Sequence, residues 1–376
     1  MSTPQARKVL IVGGGIGGLS AAIALRQANI VVDLVEIQPR MTVYGVGIIQ
    51  HGNVVREMAR LGLLQKYLDR GFAFEDVVQY NANGEFLARV PGHRLAGQMY
   101  PANVGISRLE LHKVLIESAR ELQADLRFGL TVDRLDQHDD RVDVTFSDGS
   151  RGEYDLVVGA DGAHSTLRGM LFEDAPKPRY TGQSVWRHNF VRAPEIDHLA
   201  TFAGPHGNAG LCPLASNLMY MYLTSSEPGN PRMPTEHLAQ MLRERLAPFG
   251  GIIARLREQI VDPAEVVYRP LEVVFLPSPW YRGRVLLIGD AAHTTTPHLG
   301  QGAGMAVEDA VVLAELLGTE PTLSQVLQRF MERRFERCKF VVEGSIQIGE
   351  WEMQKRRDVD RFDLVKRMMD VTAAPI

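Results

Sequence analysis

Apolar residues near the start of the chain alternate between continuous runs and helical spacing. Val9 to Val12 and Val31 to Val35 are continuous apolar runs, and the second ends at Glu36. Between them, apolar residues from Ile16 to Leu25 recur at helical spacing. Apolar runs joined by a helix are typical of a βαβ unit with buried parallel strands. Asn29 suits the end of that helix, because asparagine tolerates the left-handed backbone that closes helices.

The centre of the chain changes from helical spacing to strand-like alternation. The spacing predicts helices over 54–67 and 108–122, with Ser107 capping the second, and short strands of an antiparallel extension within 126–158. Ser147-Asp148-Gly149 is the clearest turn signal in that extension. Alternation over 184–191, 199–202 and 218–224 then predicts a second, mainly antiparallel sheet.

The first pattern returns in the last quarter of the chain. An apolar run over 284–288 precedes Gly289-Asp290, and helical spacing resumes over 304–317. The fold class is therefore predicted as α/β, with a Rossmann-like parallel-sheet domain, a mainly antiparallel second domain and C-terminal helices. The predicted division is 1–175 for the first domain, 176–275 for the second, and 276–376 for the return of the first domain with the C-terminal helices.

Composition excludes several classes of protein. The chain has 376 residues, 45% of them hydrophobic and 23% charged, which is typical of a globular protein rather than a disordered one. The net charge of -4 offers no field for a nucleic-acid backbone. Cys212 and Cys338 are far apart and predict neither a disulfide framework nor a metal site. The first apolar run is too short for a signal peptide or membrane span, so we expect a cytoplasmic protein.

The first turn of the chain carries a nucleotide-binding pattern. Gly13, Gly15 and Gly18 have the G-x-G-x-x-G spacing directly after a strand and at the start of a helix. Such glycines permit a tight turn, the close approach of a pyrophosphate to the helix end, and helix-strand packing. Glu36, at the end of the second strand, would accept hydrogen bonds from ribose hydroxyls and repel a 2′-phosphate. The pattern predicts a dinucleotide with an unphosphorylated ribose, either FAD or NAD.

Two later segments resemble the paired motifs of one enzyme family. The segments DLVVGADGAHSTLR and GRVLLIGDAAHTTTPHLGQGAGMAVEDA resemble the "DG" and "GD" motifs of single-component FAD-dependent aromatic hydroxylases, typified by p-hydroxybenzoate hydroxylase. The motifs follow the family's order over nearly the whole chain. The resemblance implies that the Rossmann-like domain binds FAD and that the antiparallel sheet belongs to a substrate domain.

The resemblance also implies a set of cofactor-binding residues. Asp290 matches the aspartate that accepts from the ribityl hydroxyls, Arg108 matches a phosphate- or ribose-binding arginine, and Gly300 to Gly302 match the turn that faces the flavin ring. Arg40 and the loop from Gly45 to Ile48 match the segment beneath the ring. The predicted cofactor-binding residues are Gly13, Gly15, Ile16, Gly17, Gly18, Glu36, Ile37, Arg40, Gly47, Ile48, Arg108, Val132, Asp161, Asp290, Pro297, Gly300, Gln301 and Gly302.

Residues for proton transfer and substrate binding follow from their placement. Tyr220 and Tyr222 are two apart in a predicted strand and share one face, where a phenol could relay a substrate proton; simple packing is the alternative. His51, near the flavin loop, is a candidate base. Arg187, Pro297 and His298 are the predicted substrate-binding residues, the arginine because its planar fork suits an acidic or polar group. No metal ligands are predicted.

The resemblance implies the chemistry of the family. NADH or NADPH would reduce FAD as a transient co-substrate, O2 would add at flavin C4a, and the hydroperoxide would hydroxylate an activated aromatic or N-heteroaromatic ring, such as a phenolic acid, a hydroxypyridine or a purine-like compound. The alternatives are epoxidation or reduction of a non-aromatic substrate, and flavin or nucleotide binding without turnover. We expect a monomer or homodimer, and solvated faces or subunit contacts for the charged stretches ERRFERCK and QKRRDVDR.

Overall fold

The computed structural model describes residues 6–40, 46–356 and 358–376. The described residues form strands β1 (Lys8–Val12), β2 (Val31–Glu36), β3 (Gly47–Gln50), β4 (Phe72–Phe74), β5 (Asp76–Asn81), β6 (Phe86–Pro91), β7 (Asn103–Ser107), β8 (Asp125–Phe128), β9 (Val132–Gln137), β10 (Val142–Phe146), β11 (Arg151–Tyr154), β12 (Leu156–Gly159), β13 (Arg179–Val191), β14 (Leu199–Ala203), β15 (Asn208–Ala215), β16 (Leu218–Ser226), β17 (Val267–Phe275), β18 (Tyr281–Arg282) and β19 (Val285–Leu287).

Helices connect and cover these strands. They are α1 (Ile16–Gln27), α2 (Gly52–Arg60), α3 (Leu64–Arg70), α4 (Arg108–Glu121), α5 (Thr166–Leu171), α6 (Leu238–Leu246), α7 (Gly251–Arg257), α8 (Asp290–His293), α9 (Gly302–Thr319), α10 (Leu323–Met353) and α11 (Arg361–Ala373), with short 3-10 turns at Thr235–His237, Pro263–Glu265 and Pro297–Leu299. In the described part of the chain, no helix is both long and apolar enough to cross a membrane.

The predicted parallel sheet is confirmed. Its order is β18-β19-β12-β1-β2-β8, and every pairing in it is parallel except that of β18 with β19. Asn29 has a φ of 62°, as expected for the residue that closes α1. Strands β8 and β12 were expected in the antiparallel extension, and this was wrong. All four residues of β12 are buried, which suits a central parallel strand covered on both faces.

The antiparallel extension is therefore smaller than predicted. Strands β9, β10 and β11 form a three-stranded antiparallel sheet, and Gly149 has a φ of 82° in the turn between β10 and β11. The helix predicted over 54–67 is divided into α2 and α3 by Gly62, whose φ is 66°. Ser107 caps α4 as predicted, because its hydroxyl accepts a hydrogen bond from the Glu110 amide at 3.1 Å.

The second sheet is built from three separate parts of the chain. Its order is β17-β13-β16-β15-β14-β5-β6, and β14 pairs with β5 in parallel while the other pairings are antiparallel. Strands β5 and β6 thus come from within the segment 1–175 that was assigned to the first domain. The division at 175 and 275 stays a prediction, but the sheet itself crosses it.

The two faces of this sheet have different partners. Trp186, Leu211 and Met221 share a hydrophobic cluster with Leu242 of α6 and Ile253 of α7, so this is the covered back face. Alternate residues on the same strands point to the other side. We call this side the front face and define it by Gln183, Arg187, Asn189, Asn208, Tyr220 and Tyr222. The front face turns toward the first domain, where Tyr220 contacts the strand β3 that begins at Gly47.

The C-terminal helices are confirmed, but the solvated face predicted for the charged stretch in α10 is wrong for Arg334 and Arg337. The Arg334 side chain has no exposed surface, and its guanidinium binds Glu308 and Asp309 of α9 at 2.7 Å each. Arg337 also binds Glu308, at 2.8 Å. The charges are buried because the acidic partners lie on a neighbouring helix, which the pattern of one helix cannot reveal.

Candidate active site

Two helix N-termini lie side by side at the carboxyl edge of the parallel sheet. Helix α1 begins after Gly15 and α9 begins after Gln301, and neither has a side-chain cap. A Cβ added to Gly17 would lie 3.1 Å from the Ala306 Cβ, so the first turn of α1 contacts the second turn of α9. Uncapped amides and the aligned peptide dipoles make such an edge attractive to anionic and electron-rich groups.

Each glycine of the turn between β1 and α1 has its own physical explanation. Gly13 has a φ of 112°, and a Cβ there would lie 2.3 Å from the Ala160 carbonyl oxygen. A Cβ on Gly18 would lie 2.0 Å from the Gly13 carbonyl oxygen. A Cβ on Gly15, in contrast, meets none of the described atoms within 4 Å. The fold therefore requires glycine at Gly13 and Gly18, whereas no described protein atom requires it at Gly15, where an approaching ligand would.

Glu36 is fixed at the end of β2. Its carboxylate accepts hydrogen bonds from the Gly14 amide at 2.7 Å and from the Gln38 amide at 2.8 Å. A carboxylate has about four lone-pair positions, so two of them stay available to further donors. The structure thus holds Glu36 in one orientation beside the glycine turn.

Asp290 and Arg108 are predicted cofactor-binding residues that lie near enough for their charges to interact. Asp290 begins α8, and its carboxylate accepts no hydrogen bond from the described residues. Restricted hydration raises the Asp290 pKa, against the opposing charges of His293 and Arg108. The Arg108 Nε is buried and has no hydrogen-bond partner in the described structure. Both side chains thus retain unused polar atoms, which suits binding of a polar ligand.

A buried ion cluster supports this site from below. The Asp309 carboxylate accepts from the Gly289 amide at 2.9 Å and lies 2.7 Å from Nε2 of His293. Burial alone would raise the Asp309 pKa, but the charges of His293 and Arg334 outweigh it and hold this pKa at about 2. Burial would lower the His293 pKa, but Cys338 and Asp309 raise it well above its ordinary value. His293, Asp309 and Cys338 could by distance hold a metal ion, but the Arg334 guanidinium already contacts Asp309 and Cys338.

His51 lies beside the turn that leads into α9. Its Nδ1 is 2.8 Å from Oδ1 of Asn103, whose amide nitrogen donates to the Glu75 carbonyl at 2.9 Å, so the histidine nitrogen is the donor. A Cβ on Gly300 would lie 3.2 Å from His51 Nε2. Burial lowers the His51 pKa, partly offset by Asn103 and the Leu299 backbone. His51 is therefore neutral at pH 7, with its basic nitrogen toward Gly300.

Tyr220 brings the front face into contact with the predicted cofactor loop. A Cβ on Gly47 would lie 2.1 Å from Cδ1 of Tyr220, so the ring packs directly on the backbone of β3. Burial raises the pKa values of both Tyr220 and Tyr222. Both phenols therefore stay protonated at neutral pH and act as hydrogen-bond donors rather than bases.

Arg187 is the cross-strand neighbour of Tyr222 on the front face. It is partly buried, and loss of hydration together with the positive charge of Arg108 lowers its pKa to about 10. The guanidinium still carries its charge at neutral pH. The structure thus places the predicted substrate-binding arginine beside the two predicted tyrosines.

Sequence reasoning missed Glu352, near the end of α10. Its carboxylate accepts hydrogen bonds from Gln183 at 3.2 Å and Asn208 at 2.6 Å, and it pairs with Arg361 at 2.8 Å and with His298 Nε2 at 3.2 Å. Burial alone would raise the Glu352 pKa, but His298 and Arg361 lower it below its ordinary value. The four partners come from four separate segments, so no local motif marks this residue.

The remaining predicted residues take varied positions. Gln301 exchanges side-chain hydrogen bonds with Asn53 at 2.9 and 3.1 Å, which fixes the turn before α9. The Asp161 carboxylate accepts from the Ser165 hydroxyl at 2.6 Å and the Leu167 amide at 3.1 Å, so it also holds the start of α5.

The other predicted cofactor-binding residues differ in exposure. Ile37, Arg40 and Pro297 are exposed, Ile16, Gly17 and Ile48 are partly buried, and Val132 is buried. Gly45 lies outside the described residues.

Comparison with known proteins decides the family. The family described as "FAD binding domain" matches residues 6–345. The chain is 32% identical over 354 residues to aurachin C monooxygenase/isomerase of Stigmatella aurantiaca, covering 92% of this chain and 90% of that protein. The chain belongs to the FAD-dependent monooxygenases. The resemblance, the fold class and the FAD cofactor predicted from the sequence are thereby confirmed.

Two further relatives agree with this membership. The 2-heptyl-3-hydroxy-4(1H)-quinolone synthase of Pseudomonas aeruginosa is 33% identical over 350 residues, covering 92% of this chain and 90% of that protein. The crystal structure of Klebsiella pneumoniae HpxO in complex with FAD and uric acid superposes with a TM-score of 0.86 at 27% identity, covering 98% of this chain and 97% of that chain. The similarity thus includes both sheets.

The residues present fit FAD. The open space beside Gly15 at the start of α1 suits an anion. The carboxylate of Asp290 can accept from hydroxyl groups, and the unpartnered Nε of Arg108 adds a cationic donor. Gly300 has a φ of 66° and turns the chain into the uncapped helix α9. These are the donor and acceptor types that a dinucleotide with a polar ring edge requires.

Proposed function

We propose that this flavoprotein is an NAD(P)H-dependent monooxygenase that hydroxylates an activated aromatic or N-heteroaromatic ring. The observation that carries the proposal is the contact of Tyr220 with Gly47, which joins a polar front face to the flavin loop. Two of the relatives support the ring class, because their names refer to a quinolone and to uric acid, both nitrogen-containing ring compounds.

The bound FAD would supply electrons taken from NADH or NADPH and the activation of O2. The protein's own residues would place the ring and manage protons. Glu36 would bind the adenosine ribose, Gly13 and Gly15 would let the pyrophosphate approach α1, Asp290 would accept from the ribityl hydroxyls, and Arg108 would bind a phosphate or ribose group. The uncapped amides at the start of α9 would stabilise negative charge on the ring system, since they present the positive end of the helix dipole.

Proton transfer would divide between the front face and His51. Tyr220 and Tyr222 stay protonated, so they would donate hydrogen bonds to a substrate oxygen. His51 is neutral and presents a basic nitrogen beside Gly300, so it is the better candidate to accept a proton. His298 and Pro297 would border the ring on the side of α9.

Oxygen-coupled turnover tests the proposal. The purified holoenzyme should oxidise NADH or NADPH faster in the presence of a substrate ring from a panel of phenolic acids, hydroxypyridines, quinolones and purines. Oxygen uptake and a hydroxylated product detected by mass spectrometry should accompany that oxidation. A reductase would consume no oxygen, and an epoxidase would instead respond to alkenes. Absence of stimulation by the whole panel would count against a ring hydroxylase.

The proposal includes the setting in which the enzyme works. We propose a cytoplasmic enzyme that acts as a monomer or homodimer on a small aromatic or heteroaromatic substrate and has no nucleic-acid partner. The free, buried Cys212 and Cys338 suit a reducing compartment. Analytical ultracentrifugation would fix the oligomeric state.

A further inference from the structure

Arg187 has no acidic partner within the part of the chain that the structure describes. In the described residues its guanidinium makes no ion pair and no side-chain hydrogen bond. The residues outside the described ranges contain no aspartate or glutamate, so the rest of the chain cannot supply the missing anion. A partly buried arginine without a counter-charge is costly, because water is removed from the charge without replacement.

The surroundings of Arg187 add positive charge rather than neutralise it. Arg108 and Arg269 both lie close enough to lower the Arg187 pKa, after burial as the largest cause. Arg108 has its own negative neighbour in Asp290, whereas Arg187 has Tyr220, a protonated phenol. The full charges that act on Arg187 are therefore those of two cations, whereas the Glu352 carboxylate acts on Tyr222.

Donors without an acceptor indicate the chemistry of the missing partner. Arg187 and Tyr222 are paired across β13 and β16, and Tyr220 follows two residues along the same face. A guanidinium and two phenolic hydroxyls in one patch suit an oxyanion, since each can donate to the same negatively charged group. The patch adjoins the Gly47 loop, where a ring substrate would lie.

We propose that Arg187 anchors an anionic substituent of the substrate, either a ring carboxylate or a deprotonated ring hydroxyl. The inference rests on the proposed function and narrows its substrate class to rings that bind as anions. It also means that the front face needs no base to deprotonate the substrate, because the positive charge of Arg187 favours binding of the substrate that is already ionised. For a ring hydroxyl, the same ionisation makes the ring more electron-rich.

Calorimetric titration of the oxidised holoenzyme tests the anchor without turnover. The probes are two matched pairs, benzoate with benzamide and 4-nitrophenolate with 4-nitroanisole, at about pH 8, where Arg187 keeps its charge. The first pair reports a carboxylate site and the second a phenolate site. We expect at least one anion to bind about 10-fold or more tightly than its neutral counterpart. Equal or absent binding of both anions relative to the neutral compounds would overturn the proposal.

Variants assign the preference to one side chain. Arg187→Met should remove the preference for the anion, Arg187→Lys should retain part of it, and Arg179→Met should leave it unchanged. Arg179 is a matched control because it is an exposed arginine on the same strand. A preference that survives in Arg187→Met would refute the anchor, and loss of FAD from this variant would assign the arginine to the cofactor instead.

Thermal unfolding gives a second readout that does not depend on the probe. Because the arginine is unpaired, Arg187→Met should raise the melting temperature of the holoenzyme by about 2 °C or more. A melting temperature that falls would mean that the arginine is a structural residue. Failure of the proposed function looks different: absence of NAD(P)H oxidation would leave the calorimetric preference and this temperature shift intact.

Discussion

The two sides of the active site are built by different means. On the cofactor side, backbone atoms and glycines define the surface: the turn at Gly13, the uncapped starts of α1 and α9, and the turn at Gly300. On the proposed substrate side, side chains of the front face define the surface, and they come from separate strands and from α10. A backbone surface tolerates few substitutions, whereas a side-chain surface changes with each one. The comparison thus separates the FAD site, which the family shares, from the front face, where we propose that the substrate binds.

The largest effect is expected from a side chain added at Gly15, on the cofactor side of the site. Gly15→Val should weaken FAD binding by about 100-fold or more while the protein still folds, because its Cβ meets no described protein atom and its φ of -73° suits any residue. Flavin fluorescence titration measures the affinity for FAD, and circular dichroism shows whether the protein is folded. Gly169→Val, also at an open position, is the control. A fully flavin-loaded Gly15→Val protein would disprove the placement of the pyrophosphate.

The next effect concerns the ion cluster beneath the cofactor side. Asp309→Asn should lower the free energy of unfolding by about 3 to 5 kcal/mol, because it leaves buried cations without their partner. The exposed pair of Asp363 with Arg367 provides the control, since Asp363→Asn should cost at most about 1 kcal/mol. Urea denaturation measures both.

The same cluster predicts acid sensitivity. The folded-state pKa of Asp309, about 2, lies below its ordinary value of 3.8, so its stabilisation is fully present above pH 4 and is lost as the pH falls toward 2. The difference corresponds to roughly 2 kcal/mol. Wild-type protein should lose this amount over that window, and Asp309→Asn should not. Parallel losses in both proteins would contradict the account.

A moderate effect is expected on the substrate side. Glu352→Gln should reduce product formation by about 10-fold and leave FAD affinity within about 2-fold, because it removes the charge that holds His298 and Arg361. Glu343→Gln, an exposed change on the same helix, should leave both quantities unchanged. If Glu352→Gln lost FAD instead, the two sides of the site would not be separable.

The smallest effect is expected from one hydroxyl. Tyr222→Phe should slow product formation about 3- to 10-fold and leave the rate of flavin reduction by NAD(P)H unchanged, since a neutral hydrogen-bond donor contributes about 1 kcal/mol. Stopped-flow absorbance separates the two steps. Tyr100→Phe, at an exposed position, is the control. Unchanged product formation would show that Tyr222 donates no hydrogen bond that contributes to turnover.

The same contrast explains what sequence reasoning could reach. Gly13, Gly15 and Glu36 could be predicted because strand, turn and helix follow one another directly in the sequence, so spacing alone indicates their geometry. Glu352 was missed because Gln183, Asn208 and His298 meet it only in the folded chain. Arg334 was read as solvated for the same reason. Long-range pairing leaves no periodic signal in the sequence.

The second sheet shows the same limit at the level of strands. Strand β15 was not predicted, because Gly210 and Pro213 interrupt the alternation of a strand that is nevertheless almost wholly buried. Strands β5 and β6 join this sheet from far away in the sequence. The positions of Tyr220 and Tyr222 on one face were predicted correctly, since that inference needs only the two-residue period of a strand.

The order of strands in the parallel sheet has a consequence for synthesis of the chain. Strand β12 lies between β1 and β19, and β19 leaves the ribosome only after the whole of the second sheet has been made. Until then, the apolar strand β12 has one edge whose backbone hydrogen-bonding groups are unpaired. The nascent protein thus completes the second sheet before β19 can pair with β12 and complete the parallel sheet. Chaperone demand should be greatest between synthesis of Gly159 and Leu287.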